Sequence, residues 1–201
     1  MKTFYKIVSI LFMPLLLPTY GSLLLFQTED FAYLNSTFKL ITIAGTILFT
    51  LVLPIIPILI MRKKGIISDF SISKREERVA PYLFSFLGFV FWAFFLYRTL
   101  GMPGYVSGLG IGSAIALFII LIVNLRWKIS AHLAGMGGIA GGIFGVCLTL
   151  GLNPTWLFIV VIFLSLLVAL ARIELKAHTP LQTLAGFIVG FLSVLLCTLY
   201  L

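Results

Sequence analysis

Seven runs of apolar residues, roughly 5–26, 39–61, 81–101, 108–125, 133–151, 155–171 and 181–201, leave this chain few folds to choose from. A helix needs about 20 apolar residues to cross about 30 Å of hydrocarbon, and each run is that long or nearly so. Barrel strands are short and alternate in polarity, whereas these runs are uniformly apolar, which argues against strands. Only 10% of the 201 residues are charged and 61% are apolar, too little polar surface to coat a globule in water. The same balance is the reverse of what disorder requires. The sequence therefore predicts an all-α, polytopic membrane helix bundle with six to seven transmembrane helices, forming a single integral membrane domain over residues 1–201. Lys2 and Lys6 ahead of the first run imitate a signal peptide, but no small-residue cleavage site follows. That run reads as a true span bent at Pro14 and Pro18.

The net charge of +8 could suggest nucleic acid, but in a membrane chain it reflects basic loops beside lipid headgroups, and no nucleic-acid partner is expected. The connections after the second, fourth and sixth runs are basic, with Arg62, Lys63, Lys64, Lys74, Arg75 and Arg78, then Arg126 and Lys128, then Arg172 and Lys176. The intervening connections carry Glu29 and Asp30 or no charge at all. The positive-inside rule puts the amino terminus and the basic loops in the cytoplasm, and the short, loop-poor chain suits a bacterial inner membrane. If the same residues bind an anion, they serve chemistry instead and say nothing of sidedness. In the fifth run Gly137, Gly141 and Gly145 recur every four residues, as do Gly138 and Gly142, a spacing that lets another helix approach closely. Cys147 and Cys197 lie in apolar runs without metal-ligand spacing and read as small hydrophobes.

Ionisable side chains at membrane-embedded positions are functional candidates by default, and here both histidines and two arginines fall at span ends on one side. The last connection reads Ala171-Arg172-Ile173-Glu174-Leu175-Lys176-Ala177-His178-Thr179-Pro180-Leu181-Gln182. It resembles the third signature of the type 2 phosphatidic acid phosphatase and vanadium haloperoxidase superfamily, in which Ser-Arg, five residues, His, three residues and Asp lead into a helix. Arg172 and His178 match in type and spacing, while Ala171 stands for the serine and Gln182 for the aspartate. Ile129-Ser130-Ala131-His132 is similar to the second signature, Pro-Ser-Gly-His. The first, a lysine followed by Arg-Pro, finds only a loose counterpart in Lys74, Arg78 and Pro81. The resemblance covers about residues 74–190, in the family's order.

What the resemblance implies is hydrolysis of a lipid phosphomonoester or diphosphate through a phosphohistidine intermediate. His178 would be the nucleophile, and His132 would protonate the leaving alkoxide and later activate water. Arg172, Arg78, Ser130 and Lys74 would hold the phosphate, with Ser130 helped by a backbone amide near Ala131. Gln182 would orient His178 without supplying the aspartate's charge, and Glu174, four residues ahead of His178, is an alternative partner. With few carboxylates and no His/Asp cluster, no metal or other cofactor is expected. The substrate would be a phospholipid or isoprenyl phosphate, its tail in the lipid bilayer, and the Phe-rich third run (Phe84, Phe86, Phe89, Phe91, Phe94, Phe95 and Trp92) could line a groove for it. The alternative is a catalytically degenerate member that binds an anionic lipid or a partner protein without hydrolysis.

Overall fold

The computed structural model describes residues 2–69, 72 and 74–201, and among these every regular element is helical. Two short helices, α1 (Lys2–Leu11) and α2 (Leu17–Leu25), are followed by the single turn α3 (Glu29–Ala32). Then come α4 (Ser36–Ile47) and α5 (Leu53–Lys63), joined through one wider turn into a continuous 28-residue span. The remaining helices are α6 (Val79–Phe94), α7 (Gly104–Asn124), α8 (Ala131–Thr149), α9 (Thr155–Glu174) and α10 (Pro180–Tyr200). Among the described residues six helices are long and apolar enough to cross a membrane, and the chain is an integral membrane protein.

The first apolar run departs from the expected bent span. Proline at position 14 has no N–H to donate, and its ring would collide with the carbonyl of residue 10 in a continuous helix. The chain instead leaves α1 at Leu11, makes tight turns from Met13 to Ile10 and from Leu16 to Met13, and restarts with Pro18 in the first turn of α2. A helix of ten residues is about 15 Å long, so neither piece crosses alone. The other boundaries follow local chemistry. Asn35 caps α4 by accepting from the Phe38 amide at 2.7 Å, and Thr179 with Gln182 forms a capping box on α10. Gly151 ends α8 in the left-handed region at φ +68°, which costs glycine nothing.

Glycine sets the packing. Helix α10 is sandwiched between α7 and α8. A Cβ at Gly137 or Gly141 of α8 would strike the Phe187 or Phe191 carbonyl, and one at Gly186 or Gly190 of α10 would strike the Ser130 or Ala134 carbonyl. This is the close approach expected of the fifth run. Helix α7 uses the same device from the other side, where a Cβ at Gly112 would lie 2.6 Å from Val194 Cα. Backbone-to-backbone contact of this kind replaces the hydrophobic drive that lipid cannot provide between helices. Outside the central trio, α6 packs on α7, α9 on α8, and α1 on α9, while α2 leans on α8 and α4. The third run faces two ways: Phe91 and Phe94 point out to lipid, whereas Phe89 and Trp92 are buried.

Candidate functional site

One end of the bundle gathers the start of α6, the end of α7, the start of α8, the end of α9 and the start of α10. The glycine contacts bring α8 and α10 together there, and the Ser130 amide donates to the Gln182 carbonyl at 3.2 Å across the join. His178, in the turn between α9 and α10, is 7% exposed, and its Nδ1 lies 3.2 Å from Gln182 Oε1. The same oxygen accepts the Thr179 amide at 3.2 Å. A backbone amide can only donate, so the capping box fixes which end of the Gln182 amide faces the histidine. Nδ1 must then carry the hydrogen, and Nε2 is left with its lone pair. Burial, followed by the charges of Arg78 and Arg172, pushes the His178 pKa down to about 3, so the ring is neutral at ordinary pH.

Arg172, at the last turn of α9, is 7% exposed. It donates from Nη1 to Ser9 Oγ of α1 at 2.6 Å, and its buried Nε has no partner among the described residues. Arg78, 4% exposed, donates from Nε to the Ile72 carbonyl at 2.7 Å and from Nη1 toward Tyr82 Oη at 3.5 Å. His132 senses the charges of Arg172, His178 and Arg78, and His178 senses both arginines and Lys128. The two histidines and two arginines therefore share one electrostatic neighbourhood. Lys128 belongs to it as well: burial first, then Arg78 and Arg172, lower its pKa, against a smaller opposing pull from Asp69.

The expected residues differ in how they sit. His132 turns toward α1, with Nε2 3.1 Å from the Ser9 carbonyl and 3.3 Å from Ser9 Oγ. A carbonyl only accepts, so the Nε2 hydrogen is committed to Ser9, and the ring is not poised to protonate a leaving group until that bond opens. Ser130 is fully buried as the cap of α8, accepting from the Leu133 amide at 3.4 Å, and its own amide is taken by Gln182. Only its hydroxyl proton remains for an anion. Lys74 stands apart, two-thirds exposed and paired with Glu77 at 3.3 Å. Glu174 is exposed, and its carboxylate pairs with none of the described residues; Gln182, not Glu174, holds His178. No group of three His, Cys, Asp or Glu side chains suited to a metal occurs among the described residues.

Three contributors were not singled out from the sequence. Ser9 lies in a helix distant in the chain and carries no motif. Tyr82 sits one turn after Arg78 and would have followed from helical spacing. Asn124, 1% exposed, donates from Nδ2 to the Arg75 carbonyl at 3.1 Å and ties the Arg78 segment to the end of α7. A buried amide at the end of an apolar run was a visible signal.

Fold and site together define a polytopic helical membrane protein with a buried cationic cluster at one end of the bundle. In comparisons with protein-family models, curated proteins and solved structures, none matched the chain.

Proposed function

We propose that the chain is a membrane lipid-phosphate phosphatase-like protein, of the type 2 phosphatidic acid phosphatase kind, acting through a phosphohistidine in a bacterial inner membrane. The observation that carries the reading is His178, held with Nε2 unprotonated beside two buried guanidinium groups at the end of a membrane bundle. A lipid phosphate arriving there takes Arg172 from Ser9 and meets the unpartnered Arg172 Nε, with Arg78 and Lys128 adding positive charge. Planar guanidinium forks suit the equatorial oxygens of a transferring phosphoryl group. The Nε2 lone pair of His178 attacks phosphorus, the N–P bond forms, and the bond from phosphorus to the lipid oxygen breaks. The phosphate dianion lets His132 take up a second proton, which passes to the leaving alkoxide. Neutral again, His132 draws a proton from water as that water attacks phosphorus. The N–P bond breaks, and inorganic phosphate leaves with His178 neutral.

A second reading, anionic-lipid binding without hydrolysis, is favoured by two observations: Gln182 supplies no negative charge to the imidazolium that attack creates, and the His132 proton is tied to Ser9. Phosphate release by detergent-purified protein from phosphatidate, phosphatidylglycerol phosphate and an isoprenyl diphosphate separates the two. Release that disappears in His178→Ala supports the phosphatase. Saturable binding with no release from any substrate assigns the second reading, and release that survives His178→Ala refutes the histidine mechanism.

A further inference from the structure

Directly alongside the cationic end, a partly open cavity of about 130 Å³ lies between α2, α6, α7 and α8. On α8 its wall begins at Ala131 and Ala134, on either side of His132, and ends at Val146 and Cys147. Sixteen steps of helix at 1.5 Å each make that wall about 24 Å long, most of the roughly 30 Å hydrocarbon core and more than the half that one leaflet supplies. Spread over that length, the space is too narrow for two chains side by side. Among its polar side chains, Ser22 donates to the Pro18 carbonyl of its own helix at 3.0 Å and Thr28 to the Leu25 carbonyl at 2.7 Å. The rest of the lining is mostly apolar, which suits an apolar ligand.

We infer that this cavity is the tail site for the phosphate-binding cluster, taking the single hydrocarbon chain of a one-chain lipid phosphate whose headgroup meets Arg172 and His178. The inference rests on the proposed lipid-phosphate reading and goes further in choosing one chain over two. Continuity supports it, because the same turn of α8 carries His132 toward the cluster and Ala131 and Ala134 toward the cavity. The third run contributes only Phe89 and Trp92 to the lining, so the tail site is built mainly by α2 and the glycine-rich face of α8 rather than by the Phe-rich helix. Gly21 and Gly138 are the specificity-determining positions on opposite walls. A Cβ at either meets only a side-chain tip at 3.4 Å, Ile139 and Val194 respectively, so a larger side chain enters the cavity without displacing backbone.

Dodecyl phosphate carrying a diazirine at its terminal carbon tests the inference in nanodiscs, with cross-linked residues mapped by mass spectrometry. Butyl phosphate, a headgroup with almost no tail, serves as competitor. The expected result is labelling of wall residues such as Leu24, Leu109 or Ile139, suppressed by butyl phosphate. That labelling falls about tenfold or more in Gly21→Leu and in Gly138→Leu, as overfilling a packed space demands. Unchanged thermal midpoints show that the variants are folded. Labelling suppressed by butyl phosphate but found on outward residues such as Phe163 or Leu166 places the tail in the bilayer and overturns the inference while the anion site stands. Wall labelling indifferent to butyl phosphate makes the cavity a space for bulk lipid and also overturns it. Labelling that butyl phosphate suppresses nowhere removes the anion site and the tail site together.

Discussion

Gln182→Glu isolates the electrostatic part of the histidine's environment. The two side chains have the same length, so a carboxylate oxygen at this position keeps both 3.2 Å contacts, to the Thr179 amide and to His178 Nδ1. What changes is a full negative charge at hydrogen-bond distance from the ring. At that separation and an effective dielectric constant of about 20, the Coulomb energy is about 5 kcal/mol. Desolvation of the new carboxylate and its attraction to Arg78 and Arg172 reduce this to the range found for close opposite charges, about one to three pKa units or roughly 1.4–4 kcal/mol. The His178 pKa then rises from about 3 to roughly 4–6, still low enough for a neutral ring at pH 7.5. If attack by Nε2 limits turnover, the imidazolium of the transition state gains the same stabilisation, and kcat increases about 10- to 1000-fold. Histidine-selective NMR in nanodiscs reads the pKa, and phosphate release from lipid phosphates reads the rate. A folded Gln182→Glu protein whose His178 pKa does not move refutes the hydrogen bond. A raised pKa with no gain in phosphate release refutes His178 as nucleophile.

Three further outcomes follow from the same geometry. Because the folded His178 pKa lies below the ordinary value near 6.5, the unfolded chain holds a proton that the folded one lacks between those values. Stability is therefore lost as pH falls from about 6.5 toward 3, by at most about 1.4 kcal/mol per unit, and melting curves of wild type and His178→Gln across that window measure this residue's share. Ser9→Ala leaves the Arg172 guanidinium without its 2.6 Å acceptor, lowers stability by about 1–3 kcal/mol, and tightens binding of butyl phosphate, which no longer competes with the serine. Gly190→Val drives a side chain into the Ala134 carbonyl, lowers stability by about 3 kcal/mol or more, and weakens butyl phosphate binding as α8 and α10 separate; thermal unfolding and a binding titration report both.

The membrane bundle was legible because hydrocarbon thickness sets the length of every span, and six of the apolar runs became helices within a few residues of their expected ends. The first run was misread because its apolar character persists through Pro14 while its hydrogen bonding does not. Arg172 and His178 were legible from spacing within one connection. Gln182 is legible by its spacing as an orienting partner of His178, and Thr179-Pro180-Leu181-Gln182 also spells a helix-capping box, which explains how an amide at that position comes to orient the histidine. Ser9 lay beyond reach, since its partner Arg172 is 163 residues away and only the packing of α1 on α9 joins them.

The glycine seam between α8 and α10 has a mechanical consequence. Where a carbonyl of one helix rests against the Cα of the next, no rotamer can relax, and the offset between the two helix starts is as fixed as the thickness of a polypeptide. Bilayers of different depth will tilt the α7–α10–α8 block as a unit and leave the spacing of residues 132 and 178 untouched. Strain from the membrane is instead taken up by the amino-terminal helix, where among the described residues one serine hydroxyl and its carbonyl make the polar tether to the cluster.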